Sequence, residues 1–162
     1  MAEVLEFQDM FYTNFEPKMQ NRYIMEVDGI QSYLIKSANR PTISFESVKL
    51  SHINTYRKII QKGEWSDISI TLYDPIVPSG AQQVMEWVRL AYESITGRMG
   101  YAEFYKKDLD FYMLGPVGDK VEQWKLKGAF ITEANFGDVS WESTDASEIS
   151  VTLAYDHAIL EF

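Results

Sequence analysis

Two histidines, a few close carboxylates and one glycine-containing run are the residues of this chain whose types and spacing bear on chemistry. His52 and His157 lie far apart in sequence, and Asp156-His157 has the look of a fragment of a metal site. With no cysteine and no third histidine, that fragment does not grow into a tetrahedral site of the usual kind, so a surface or interface histidine is the favoured reading. Gly115 to Lys120 (GPVGDK) looks superficially like a phosphate loop. It lacks the Gly-Lys-Ser/Thr ending and opens no helix, so it reads as a hairpin turn. Asp108 and Asp110 fall on one strand face, where paired carboxylates can move protons, yet a solvated strand start accounts for them more simply. The tyrosines and tryptophans would suit a base-stacking platform, but no basic groove accompanies them to follow a nucleic-acid backbone. No catalytic, cofactor-binding or metal-binding residue is assigned on this reading, no cofactor is expected, and the chain is not expected to be an enzyme.

The bulk properties narrow the classes further. The absence of cysteine excludes disulfides, thiolate zinc sites and iron–sulfur clusters. Lys+Arg 15 against Asp+Glu 24 gives a formal net charge of -9, which argues against a surface that grips phosphates by counterion release. At 162 residues, 46% hydrophobic and 14% aromatic, the chain reads as one folded domain able to bury a core. No apolar run reaches the roughly 18 residues of a membrane span. The acidic start Met1 to Asp9 lacks a basic-then-apolar leader pattern, so a soluble, unexported chain without membrane insertion is expected.

The positioning elements are one helix and several strands. Ser79 to Thr96 reads as an amphipathic helix, with Pro78 ending the preceding strand, Ser79 as cap and Gly97 as the left-handed stop. Ala81, Val84, Met85, Val88, Ala91, Tyr92 and Ile95 form its apolar face, opposite Gln82, Gln83, Glu86, Arg89 and Glu93. Such a stripe needs a partner surface, and nothing else is helical over comparable length, so that surface is expected to be a sheet.

Residues 1–17 read as an extended arm that orders only against something else, and 18–162 as the folded domain. Arg22 to Val27 and Ile30 to Ser37 flank Asp28-Gly29, a strong hairpin signal. Thr42 to Ser51 alternates strictly with one slip at Ser47, predicting a bulge, and Tyr56 to Gly63 returns, making His52 to Thr55 the tip of a protruding hairpin. Trp65 to Asp74 alternates again. Leu109 to Leu114 and Lys120 to Lys127 form a second hairpin about Gly115 to Asp119, followed by strands at Gly128 to Asn135, Val139 to Trp141 and Glu148 to Tyr155. The expected fold is mainly β (α+β), an antiparallel sandwich or barrel of about eight strands with one flanking helix. Ile68 to Leu72 and Ile149 to Leu153 carry no proline and no lysine gatekeeper, so they are expected to be open edges completed by neighbouring copies in a closed ring.

The run Trp65 to Asp74 (WSDISITLYD) followed by the helix carrying Val84, Trp87 and Val88 resembles the inner tail tube proteins of contractile-tail bacteriophages. So do Lys127-Gly128 through Gly137-Asp138-Val139-Ser140-Trp141, and the ending Glu148 to Asp156 (EISVTLAYD). The similarity runs from about Asn21 to the C-terminus, and its patterns mark a fold, not a catalytic motif. It implies hexameric rings stacked into a tube inside a sheath, with viral double-stranded DNA crossing the lumen without specific binding. The implied partners are further copies of the chain, the tail sheath protein, the tape measure protein, and the baseplate and tail terminator proteins. The implied location is the virion, with assembly in the host cytoplasm.

On that resemblance Ser44, Glu46, Asp67, Ser69, Thr71, Ser150 and Thr152 are candidates for the lumen lining. A lumen of hydroxyls and carboxylates repels DNA within a Debye length of ~8 Å and keeps it from adhering. The protruding hairpin between rings corresponds to His52 to Gly63, with His52, Asn54, Tyr56, Arg57, Lys58 and Lys62 as candidate stacking residues, their cations facing an acidic arm or the acidic rim of the next ring. Two alternatives stand beside the tube subunit. One is a tube–baseplate junction or initiator protein of the same fold, and the other is a small-molecule-binding β-barrel.

Overall fold

The computed structural model describes residues 14–162, so most of the expected arm, residues 1–13, lies outside the described residues. The described chain is mainly strand: β1 Tyr23–Glu26, β2 Ile35–Ala38, β3 Ile43–His52, β4 Thr55–Trp65, β5 Ile68–Tyr73, β6 Lys107–Leu114, β7 Lys120–Asn135, β8 Glu148–Ala154 and β9 His157–Leu160. Between β5 and β6 lie the helix α1, Gly80–Ala91, and a single helical turn α2, Ala102–Tyr105. Seven strands form one antiparallel sheet in the order β1-β6-β7-β8-β5-β2, with β9 also on β7, while β3 and β4 pair only with each other.

Alternation explains the core. In β5 and β8 every second residue is buried, and Ile68, Ile70 and Leu72 lie across from Leu153, Val151 and Ile149. Met25, Leu109, Phe111, Leu126 and Ala129 extend the same apolar layer through β1, β6 and β7. The sheet curls until the phenol of Tyr23 on β1 donates to the carbonyl of Lys36 on β2 at 2.5 Å, drawing its two ends together. Between the sheet and α1 the packing is close: the cavity lined by Val27, Ile35, Ile70, Trp87, Val151 and Leu153 measures about 10 Å³, room for about one water.

β7 is longer than either strand expected over 120–135, because the chain stays in the ladder through Gly128 instead of stopping there. Its first half pairs with β6 and β9 and its second half with β8. Gly128 makes the turn from one set of partners to the other possible. Its φ is +66°, and a Cβ there would stand 2.2 Å from Asp156 Oδ2.

The start of α1 is as expected, with Ser79 Oγ accepting from the Gln82 N–H and Asp74 Oδ1 accepting from the Ala81 N–H. Its end is not. The helix closes at Ala91, and Tyr92 pairs back with Met99 across a turn in which Gly97 takes its positive φ. No sheet lies under residues beyond that point, so Ile95 is exposed although it continues the apolar stripe. The residue that docks the helix is Trp87, 3% exposed, whose indole N–H donates to the Tyr105 carbonyl at 2.7 Å.

Three further expectations are corrected. Val27 and Ile30 form a single bridge about Asp28-Gly29, after which β1 leaves for β6 and β2 for β5, so no hairpin forms there. Val139 to Trp141 is not a strand; residues 136–147 are the irregular link between β7 and β8. Ile68–Leu72 and Ile149–Leu153 are interior, since β8 lies between β7 and β5, and β5 between β8 and β2. The unpaired strand borders among the described residues are those of β1, β2 and β9, and both sides of the β3–β4 hairpin.

Candidate functional site

The residues with chemical potential are spent on structure. Asp108 accepts from Lys127 Nζ at 2.8 Å and from the Gly128 N–H at 3.2 Å, and the hydrogen bond from Lys127 is the main reason its carboxyl is held below the usual range. Asp110 faces the Gln123 amide at 3.5 Å. The Asp156 carboxylate accepts from Lys106 Nζ with both oxygens, at 2.9 and 3.0 Å, and His157 is exposed at the start of β9. Gly115 to Lys120 closes the β6–β7 hairpin through Gly115 N–H to Asp119 O at 2.8 Å and Gly118 N–H to Gly115 O at 3.1 Å. Among the described residues no three His, Cys, Asp or Glu side chains gather closely enough to hold a metal ion.

The candidate lining residues divide into two groups. Register places Ser69 across from Thr152 and Thr71 across from Ser150, on the side of the sheet opposite the core. The rows continue to Ser37 on β2 and to Glu133 and Asn135 on β7, giving Ser37–Thr71–Ser150–Asn135 across four strands and Ser69–Thr152–Glu133 across three. Lys36 caps this face, ion-paired with Glu148 and 5.6 Å over the Tyr73 ring; the hydrogen bond to Glu148 raises the lysine further above its usual value. Ser44, Glu46 and Asp67 are elsewhere. The first two are on β3, where Ser44 Oγ donates to the Glu64 carbonyl at 3.4 Å and Glu46 falls at the bulge, and Asp67 lies in the break between β4 and β5.

The hairpin is left uncovered by the other described residues. Every residue of β3 is exposed, and so is β4 up to Lys62. The break in register between Phe45 and Ser47 is where the alternation slips in the sequence. His52, Asn54, Tyr56, Arg57, Lys58 and Lys62 are all on it and all exposed. What the alternation in the sequence does not show is that neither face of the hairpin meets a core: Phe45, Leu50, Ile53, Ile59 and Ile60 are 53, 44, 104, 51 and 69% exposed. At its root the Ser66 N–H donates to the Thr42 carbonyl at 2.9 Å, and Trp65 tilts against Tyr155 with ring centres 6.0 Å apart.

A second group missed in sequence is a buried carboxylate. Glu122 on β7, 6% exposed, accepts from Lys18, from Arg40 Nη1 at 3.2 Å and from the Trp124 indole N–H. Burial on its own would raise this carboxyl, but the hydrogen bonds from Lys18 and Trp124 and the two cations outweigh it and hold the pKa below the ordinary value. No local pattern marks it, because its cations come from 104 and 82 residues away.

This architecture, a curled antiparallel sheet with one docked helix and a bare projecting hairpin, is the fold found in the tube and cap assemblies of contractile injection systems. A chain in the cryo-EM structure of the anti-feeding prophage cap, a tube terminating cap, superposes with a TM-score of 0.76 at 16% identity, over 97% of this chain and 99% of that one. A chain of the sheath/tube terminator of the extracellular contractile injection system PVC in its extended state gives 0.74 at 18% identity, over 93% and 100%. A chain of the PVC sheath-tube complex gives 0.72 at 16%, over 98% and 99%. No protein-family model and no curated protein sequence matches the chain.

Proposed function

We propose that this protein is a structural, non-enzymatic subunit of the inner tube of a contractile tail, assembling as hexameric rings that stack into a conduit. The observation that carries this reading is the β3–β4 hairpin. A two-stranded ribbon alone is marginal in water, and this one exposes a row of large apolar side chains along some ten residues of each strand. Such an element is stable when neighbouring copies cover it. The free borders of β1, β2 and β9 supply further sites for sheet continuation between copies.

In the tube, the hydroxyl rows through Ser69, Thr71, Ser150 and Thr152 line the lumen, while Ser44, Glu46 and Asp67 flank it near the hairpin root. With a net charge of -9 and few cations on that face, a double-stranded DNA cargo would slide past without being held. Sheath, tape measure, baseplate and terminator proteins are the partners such a subunit meets, in the virion and during assembly in the host cytoplasm. A barrel that encloses its ligand is disfavoured: the cavity between the sheet and α1 is only about 10 Å³, and the larger recesses, about 1280 Å³ beside Tyr23, Lys36 and Arg40 and about 350 Å³ beside Met85, Tyr105 and Phe130, are clefts open to solvent and not an enclosed site.

The likeness to a tube terminating cap and a sheath/tube terminator supports a second reading, a subunit that ends or starts the tube instead of repeating along it. Negative-stain microscopy of the purified chain separates them. Open-ended tubes of variable length are expected for the repeating subunit, and isolated rings for a cap or junction protein. A protein that stays monomeric at hundreds of micromolar overturns both.

A further inference from the structure

The link between β7 and β8 carries the most exposed tryptophan of the molecule. Trp141 is 106% exposed and Val139 96%, and Phe136 at the start of the link is 39% exposed. A tryptophan with no cover among the described residues is a large apolar surface held in water, and tryptophan is enriched among residues that dominate protein interfaces. The same link holds Asp138, Glu142 and Asp145 and has no Lys or Arg from 136 to 147. None of these three acids is ion-paired among the described residues.

The hairpin is its complement in both respects. Residues 47–62 contain Lys49, Arg57, Lys58 and Lys62 and no acid, and none of the four is ion-paired among the described residues. Register sorts the side chains into two faces. Leu50 lies across from Arg57 and Val48 across from Ile59, so one face is an aliphatic strip beside a single guanidinium. Lys49 with Lys58, Ser51 with Tyr56, and Ser47 with Ile60 form the other.

We propose that the 136–147 link is the seat for the hairpin of a second copy of this chain, the Val48, Leu50 and Ile59 strip covering Trp141 and Val139 while Arg57 meets Asp138, Glu142 or Asp145. The inference rests on the self-assembly reading above and names the surface that receives the hairpin. Apolar cover gives the contact its stability, and opposite charge at its edge selects the partner. At about 3.4 Å per residue, a ten-residue arm reaches some 30 Å from its root, enough to lie on an adjacent subunit.

Since the chain has no cysteine, two single-cysteine variants, Leu50→Cys and Val139→Cys, test the contact in trans. One carries a size tag, the two are mixed, oxidised with copper-phenanthroline and run on a non-reducing gel. The mixed 50–139 disulfide is expected at no less than tenfold the yield of a control pair, Leu50→Cys with Val117→Cys in the β6–β7 turn, exposed at 89%. Equal yields from the two pairs, with wild-type rings or tubes still seen by microscopy, overturn the seat and leave the tube reading intact. A wild type that never associates overturns both. As a second arm, Asp138→Lys/Asp145→Lys is expected to block assembly while keeping the native melting transition, and mixing it with Arg57→Glu to restore it in part; failure of either expectation in a folded variant counts against the seat.

Discussion

The carboxylate of Glu122 accepts a hydrogen bond from the guanidinium of Arg40 at 3.2 Å across 82 residues of sequence. Arg40 stands just before β3, at the root of the bare hairpin, and Lys18, bound to the same carboxylate, belongs to the segment leading into β1. One buried acid on a central strand therefore fastens both the root of the hairpin and the segment that leads into β1. Glu122→Gln keeps the shape and removes the charge. Because Lys18 and Arg40 are about half exposed, solvent screens the pair, and a loss of about 1–2 kcal/mol is expected. Urea denaturation should show the midpoint move down with an unchanged slope; a midpoint equal to wild type removes the clasp from the account.

The same carboxyl predicts an acid-sensitive stability. Its folded pKa is depressed below its unfolded one, so the stabilisation it gives is complete above the ordinary carboxylate range and is lost as pH falls through the folded value. Asp108, also depressed, acts in the same direction near the surface. Melting temperatures are expected to be flat from pH 8 to pH 6 and to fall below about pH 4, as the ordinary carboxylate pKa values imply. The gap between wild type and Glu122→Gln should close over the same acid interval. A gap that stays constant down to pH 2 would falsify the assignment.

At Gly128 two separate costs meet. An alanine there must take a φ of +66°, and its Cβ would push on Asp156, whose carboxylate binds Lys106. Gly128→Ala is expected to lose about 2 kcal/mol, from backbone strain of roughly 1–3 kcal/mol and a displaced ion pair. Adding Asp156→Ala removes the clash and leaves the strain. The double variant should therefore be less destabilised than the sum of the two single ones, a coupling that chemical denaturation of all four proteins measures directly.

Reversal of the hairpin cations separates assembly from folding. Arg57→Glu/Lys58→Glu changes two exposed side chains whose register partners, Leu50 and Lys49, are exposed as well, so the thermal transition should stay within about 0.5 kcal/mol of wild type. Assembly by sedimentation should be lost. Tubes of normal length from this variant would show that the hairpin's positive charge has no part in stacking.

How much of this was legible in the sequence depends on how local the deciding interaction is. The β3–β4 hairpin and its bulge at Ser47 could be read because both strands and the turn are contiguous. The Ser79 cap could be read because its acceptor and donor are three residues apart. The false hairpin at Asp28-Gly29 shows the limit: the turn forms, but Met25 pairs with Phe111 and Ile35 with Leu72, and those long-range apolar contacts outweigh the local ribbon. The helix end failed for the same reason, since Ile95 keeps the period but has no sheet beneath it. Ile68–Leu72 looked like an edge because strand order is not written in any one strand. Trp141 read as strand because its neighbours alternate, yet β7 and β8 pair directly and leave it outside.

The orientation of the hydroxyl rows is open to a direct chemical measurement. In a tube, a lumen face is reached through the open bore, where a small reagent enters freely and a bulky polymer is hindered. Ser150→Cys places a thiol in the row Ser37–Thr71–Ser150–Asn135, in a chain that otherwise has none. In dissociated subunits it should react at similar rates with N-ethylmaleimide and with a 5 kDa polyethylene glycol maleimide, after correction for diffusion. In assembled tubes the small reagent should keep its rate while the large one slows by an order of magnitude or more. A large reagent that reacts equally fast in both states puts the rows on the outside of the tube. Protection from both reagents puts them in a contact between subunits, and either result removes Ser150 and Thr152 from the lining.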